Sequence, residues 1–141
     1  MASLLFLIVL NKVGNKFMSN ILVVAVGGGL GAAMRYIIGQ IIPVHPTGFP
    51  TATFLINITG AFIIGFISGL SLKHNISNEL KLFLTTGVCG GFTTFSTFSL
   101  ETATLFSNGK MLLASGYAIT SVLLCVLGVS LGIITGKLLK A

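Results

Sequence analysis

The chain has 141 residues, of which 54 % are hydrophobic and only 7 % charged, where an ordinary soluble domain carries roughly a quarter charged residues. Too few ionisable side chains remain to build a solvated surface, so the composition excludes a soluble enzyme and indicates a membrane protein. The net charge of +6 comes from cations placed singly along the chain. That excludes the basic stripe a nucleic-acid interface needs and fits loop lysines obeying the positive-inside bias.

At about 20 apolar residues per helical crossing, the length accommodates four spans with short connections and no second domain. The apolar runs are continuous rather than alternating, so helices are expected and a transmembrane β-barrel is not. Met1 to Phe17 forms a leader whose apolar run, Leu4 to Leu10, has no basic flank before it and no small-residue cleavage pattern. It does not read as a signal peptide, and the working domain is expected to be 18–141, with residues 1–17 dispensable.

The first span runs from about Ile21 to Ile42 and contains Gly27-Gly28-Gly29-Leu30-Gly31 and one charge, Arg35. The glycine string imitates a dinucleotide fingerprint but lacks the acid about twenty residues later, since no Asp or Glu precedes Glu79. It reads instead as a close-packed helix face. A charge at membrane depth is costly, so Arg35 either snorkels to the interface or sits as an anion-attracting charge at a vestibule. Pro43, His45, Pro46 and Gly48 make a short loop. The second span covers about Thr51 to Leu72, and its Asn57 must face protein or water, because lipid cannot satisfy an amide.

The third span begins near Leu80, is apolar to Val88, and is then interrupted by Gly90-Gly91-Phe92-Thr93-Thr94-Phe95-Ser96-Thr97-Phe98-Ser99. Five of the seven residues Thr93 to Ser99 carry hydroxyls. Irregular backbone at membrane depth is tolerated only where it is protein-buried or lines an aqueous cavity. The hydroxyls suit a polar track, and the interleaved phenylalanines offer electropositive ring edges to a small anion. After a turn at Ser107-Asn108-Gly109-Lys110, the fourth span covers about Met111 to Leu139. Its Gly128, Gly132 and Gly136, like Gly65 and Gly69 of the second span, mark a face for close helix packing, within or between subunits. Cys89 and Cys125 lie in apolar stretches without neighbouring ligands and read as small core residues rather than a disulfide or metal site.

The third-span string, with Gly28-Gly29-Leu30-Gly31-Ala32-Ala33-Met34-Arg35-Tyr36 in the first span and Asn57-Ile58-Thr59-Gly60-Ala61-Phe62 in the second, resembles the Fluc (CrcB) fluoride channels from about Met18 onward. The resemblance implies an all-α membrane protein with four transmembrane helices, the third broken, assembled as an antiparallel dual-topology-type dimer in the prokaryotic plasma membrane. It implies no enzyme but a passive pore that lets the membrane potential expel fluoride, trapped in the cytoplasm when hydrogen fluoride enters and dissociates. By the same resemblance, Asn57, Phe95 and Phe98 coordinate the ion, and Ser96, Thr97, Tyr117 and Ser121 form the polar track. A structural Na+ would be held by the backbone carbonyls of Gly90 and Thr93. The leader is a departure from the family pattern.

Two other classes compete with this reading. A small multidrug or guanidinium exporter would need a membrane-embedded glutamate in the first helix, where this chain has Arg35; a non-transporting membrane assembly subunit would leave the hydroxyl and phenylalanine string without a purpose. If the chain crosses four times, Lys12, Lys16, Lys73, Lys81, Lys137 and Lys140 share one side and Lys110 stands alone on the other. That bias implies both termini in the cytoplasm, which leaves open whether the second subunit is a copy of this chain or a sister chain of opposite topology.

Overall fold

The computed structural model describes the backbone of residues 2–43 and 45–139 and the side chains from residue 14 onward. Among these residues every regular element is helical. Helix α1 spans Ala2–Ile41, about 60 Å at 1.5 Å per residue, twice the thickness of a bilayer's hydrocarbon core. The apolar pattern places the start of the first span near Ile21, but the helix itself continues without interruption through the leader, where Gly14 alone cannot stop it and no proline intervenes. It ends before Pro43, which disfavours helical backbone in the residue preceding it.

Helix α2, Thr51–Ser71, starts directly after Pro50, where proline's missing N–H costs nothing. A short turn leads to Ser77, whose hydroxyl accepts the N–H of Leu80 at 3.2 Å and caps helix α3, Asn78–Leu82. The chain continues as a π-helical stretch, Phe83–Cys89, and a single turn α4, Gly90–Phe92. Thr93 and Thr94 are extended (ψ 158° and 114°). Helix α5, Phe95–Ser107, then restarts, its first turn capped by the Thr94 hydroxyl accepting from the Thr97 N–H at 3.2 Å. Gly109 turns the chain with φ +73°, a left-handed conformation that favours glycine, into helix α6, Met111–Leu138.

Among the described residues three helices are long and apolar enough to cross a membrane: Gly14–Ile41, α2 and α6. Small residues set how they pack. A Cβ on Gly65 or Gly69 would run into the carbonyls of Val129 and Ile133, and one on Gly132 or Gly136 into those of Phe62 and Phe66. The two glycine stripes therefore belong to one α2–α6 contact within the chain. The glycine string of α1 does the same against the interrupted segment: a Cβ on Gly27 would stand 2.7 Å from the Phe83 carbonyl, and Gly31 and Gly91 press on the backbones of Val88 and Gly28. Between α5 and α6, Phe98, Leu105, Ala114 and Tyr117 form the buried core. Leu22, Val26 and Leu30 of α1 and Leu123, Leu127 and Leu131 of α6 face outward, as lipid-facing side chains would.

Candidate functional site

The interruption at Thr93 and Thr94 is held from both sides. Asn57 on α2 pairs with the backbone of Thr94 as a peptide would: its Oδ1 accepts the Thr94 N–H at 2.8 Å and its Nδ2 donates to the Thr94 carbonyl at 3.1 Å. Arg35 on α1 is half-buried and donates from Nε to the Gly91 carbonyl at 3.2 Å. These bonds satisfy polar groups that no lipid could.

They also free others. In an unbroken helix the Thr94 N–H would donate to the Gly90 carbonyl, and the Thr97 N–H to the Thr93 carbonyl. The first goes to Asn57 and the second to the Thr94 hydroxyl, so the carbonyls of Gly90 and Thr93 lose their helical donors. Two neutral oxygens freed of helical donors, on residues that line one groove, fit a hard cation that takes oxygen ligands.

That groove, about 390 Å³, brings Asn57, Gly90, Thr93, Phe95, Phe98 and Ser121 together. Its lining is overwhelmingly apolar, including Cys89 and Cys125, which occupy it as free thiols. The Ser121 hydroxyl is buried there without a hydrogen-bond partner among the described residues. An orphaned hydroxyl costs about 1–3 kcal/mol unless a ligand or water completes it. The Phe95 and Phe98 rings lie 5.5 Å apart, the first 77 % exposed and the second buried against Tyr117 at 5.1 Å.

On the other side of the interruption lies a second cavity of about 610 Å³, whose lining includes Arg35, Thr94, Thr97, Glu101 and Lys110. Thr94 borders both spaces. Its hydroxyl lies 2.9 Å from that of Thr97 and 3.3 Å from that of Ser96, so these three form one cluster. Thr93 and Ser99 instead turn their hydroxyls onto the carbonyls of Cys89 and Phe95. The ten sequence-predicted residues thus separate: six in the groove, Arg35 and Thr97 in the second cavity, and Ser96 and Tyr117 lining neither.

Tyr117 is 1 % exposed, and its partner is a residue that no sequence motif singles out. Glu101 accepts the Tyr117 hydroxyl on Oε2 and the Thr53 hydroxyl on Oε1, each at 2.8 Å. The signal for it is nonetheless present in the sequence, because an acid flanked by apolar helix demands partners for the same reason that Arg35 does. Among the described residues no group of three His, Cys, Asp or Glu side chains could hold a metal ion.

A small helical membrane protein with an interrupted helix, an apolar groove carrying a few hydrogen-bond donors and a cationic cavity beyond it is the kind of protein that handles a small anion. Residues 22–133 match the family described as CrcB-like protein, Camphor Resistance (CrcB), and the chain belongs to that family. A protein of Ruminiclostridium cellulolyticum named fluoride-specific ion channel FluC is 46 % identical over 124 residues, covering 86 % of this chain and 95 % of its own length. Its namesake in Chlorobaculum tepidum is 50 % identical over 101 residues, covering 71 % and 80 %. A Nitrobacter hamburgensis protein named fluoride-specific ion channel FluC 2 is 47 % identical over 116 residues, covering 81 % and 94 %.

Proposed function

We propose that the chain forms a fluoride-selective passive channel of the cell membrane and is not an enzyme. The family and the relatives' names support the ion, and one observation supports the site: the buried, unpartnered Ser121 hydroxyl in the groove shared with Asn57, Phe95 and Phe98. Fluoride surrenders a tightly held hydration shell, so the pore replaces it with donors, each weak enough to release the ion. Asn57 has one Nδ2 hydrogen engaged by Thr94 and a second left to donate. Ser121 adds a hydroxyl, and the Ser96 and Thr97 hydroxyls continue the track through their cluster with Thr94. Tyr117, its O–H held by Glu101, backs the track without donating to the ion, and the rings of Phe95 and Phe98 contribute electropositive edges. No proton-coupling acid stands in α1 or α2, so the flow follows the electrochemical gradient.

The same reading takes Asn78–Ser107 as the third of four crossings, interrupted at Thr93 and Thr94, and pairs the chain antiparallel with a second subunit across the groove. Residues 1–17, outside the family match, are dispensable in it. A structural Na+ is held by the Gly90 and Thr93 carbonyls, where it supplies a fixed positive charge to oxygens that have lost their helical donors. Since that contact is backbone, Thr93→Ser retains the ion. Density at the site that stays equally strong when sodium is replaced by a large organic cation contradicts this assignment.

Reconstituted in vesicles with a potassium ionophore, the protein discharges a fluoride gradient measured by a fluoride electrode. Chloride flux of comparable size would overturn the proposal.

A further inference from the structure

The cationic cavity has a mouth as well as a floor. Its floor is the interrupted segment, where Arg35, Thr94 and Thr97 line it. At the far end stands Lys110, the residue before α6, whose ammonium donates to the Thr47 carbonyl at 2.9 Å and so ties the α1–α2 loop to the α5–α6 turn. The ammonium lies 3.0 Å from where a Cβ on Gly48 would be, and Gly48 lines the same cavity in a left-handed conformation (φ +85°).

The charges facing this space are few. Arg35, Glu101 and Lys110 line it, and both oxygens of Glu101 are engaged by Thr53 and Tyr117. The other lysines with described side chains, Lys16, Lys73, Lys81 and Lys137, line neither this cavity nor the groove. A cavity with low-dielectric walls focuses the field of a charge at its mouth. Exposed but pinned by its hydrogen bond, Lys110 is a fixed charge rather than a mobile one.

We infer that Lys110 is an electrostatic collector for the channel: held over the mouth of this cavity by the Thr47 carbonyl, it concentrates small anions there before they reach Arg35 and the interrupted helix. This rests on the fluoride-channel reading. It makes Lys110 a positioning charge that acts through local ion concentration, with no contact to the ion inside the pore.

The magnitude follows from Coulomb's law. One unit charge about 10 Å away changes local anion concentration roughly twofold in water at low ionic strength, where the Debye length of about 30 Å leaves it little screened. At about 1 M salt the Debye length falls to about 3 Å, and the effect disappears.

The test is fluoride conductance in neutral phosphatidylcholine membranes, at fluoride well below saturation, for wild type, Lys110→Arg, Lys110→Gln and Lys110→Glu. At low ionic strength Lys110→Gln lowers conductance about twofold and Lys110→Glu about fourfold, while Lys110→Arg keeps the wild-type value. In about 1 M of an impermeant salt all four converge. Glutamine can still donate to the Thr47 carbonyl, so it separates charge from tether. Equal conductance of the glutamine variant and wild type at low salt overturns the inference. So does a loss in the variants that persists at high salt, which would mark the Thr47 bond as purely structural. Absence of fluoride conductance in wild type would instead overturn the channel reading itself.

Discussion

Phe95 and Phe98 sit three residues apart on one helix, yet their surroundings differ, and that difference separates function from folding. Phe95 is 77 % exposed, whereas Phe98 is buried in the core with Leu105, Ala114 and Tyr117. Isoleucine fills volume but has no electropositive ring edge, so Phe95→Ile and Phe98→Ile each reduce fluoride flux sharply. Only the second also lowers stability, by about 1–2 kcal/mol through lost packing on Tyr117. Flux assays beside thermal unfolding in detergent check both; full flux in the two variants refutes their role at the ion. Glu101 gives a second residue-scale prediction. Removing its carboxylate in Glu101→Ala strands the hydroxyls of Thr53 and Tyr117, each buried and each costing about 1–3 kcal/mol unpaired. Adding Thr53→Val and Tyr117→Phe removes the stranded groups, so the triple variant should unfold at a higher temperature than Glu101→Ala alone. A triple variant no more stable than the single one would show that the three groups do not act as a unit.

Among the described elements, α2 and α6 share the most extensive contact, because glycines let their backbones meet. A side chain at Gly132 collides with the Phe62 carbonyl and comes within 2.7 Å of the Phe66 nitrogen, and backbone cannot rotate away as a flexible side chain could. Gly132→Val therefore costs on the order of 1–3 kcal/mol or more, read as a lower melting temperature and loss of a monodisperse peak in size-exclusion chromatography. Gly116, on the same helix, has open space where a Cβ would stand, and Gly116→Ala is tolerated. Unchanged melting of Gly132→Val would rule out this packing. The starts of these two helices are legible in the sequence, since Pro50 and the Asn108-Gly109 turn punctuate the chain where α2 and α6 begin. Their pairing is not, because the register between two helices is set by tertiary approach and leaves no trace in either stripe alone. Likewise the interruption near Thr93 is readable from its glycine and hydroxyl content, while the clamp that Asn57 and Arg35 place on it depends on three elements meeting.

For the whole molecule, the placement of the lysines decides how it sits in the membrane. The bond from Lys110 to the Thr47 carbonyl puts the α1–α2 loop and the α5–α6 turn at one end. Lys73 lies in the turn after α2 and Lys81 in α3, and Lys137 lies in the last turn of α6. With four crossings they share the opposite side with Lys16, as do Lys12 and Lys140 by sequence, although the side chains of those two lie outside the described residues. Arg35 counts for neither side, being half-buried against Gly91. Even without the leader's lysines, four cations oppose one. Because the Lys/Arg bias sets orientation, this asymmetry favours a single insertion with both termini in the cytoplasm, whereas an antiparallel homodimer needs a chain that inserts both ways. The expected outcome is therefore a fixed topology, and under the proposed antiparallel pairing a fixed topology would require a sister chain of opposite orientation as the second subunit. Single cysteines at Asn75 and Asn108, in a background with Cys89 and Cys125 replaced by alanine, report it in intact cells. An impermeant thiol reagent applied outside should label the Asn108 site and spare the Asn75 site. Labelling of both sites to similar extents would mean that one sequence populates both orientations, and the second subunit would then be another copy of this chain.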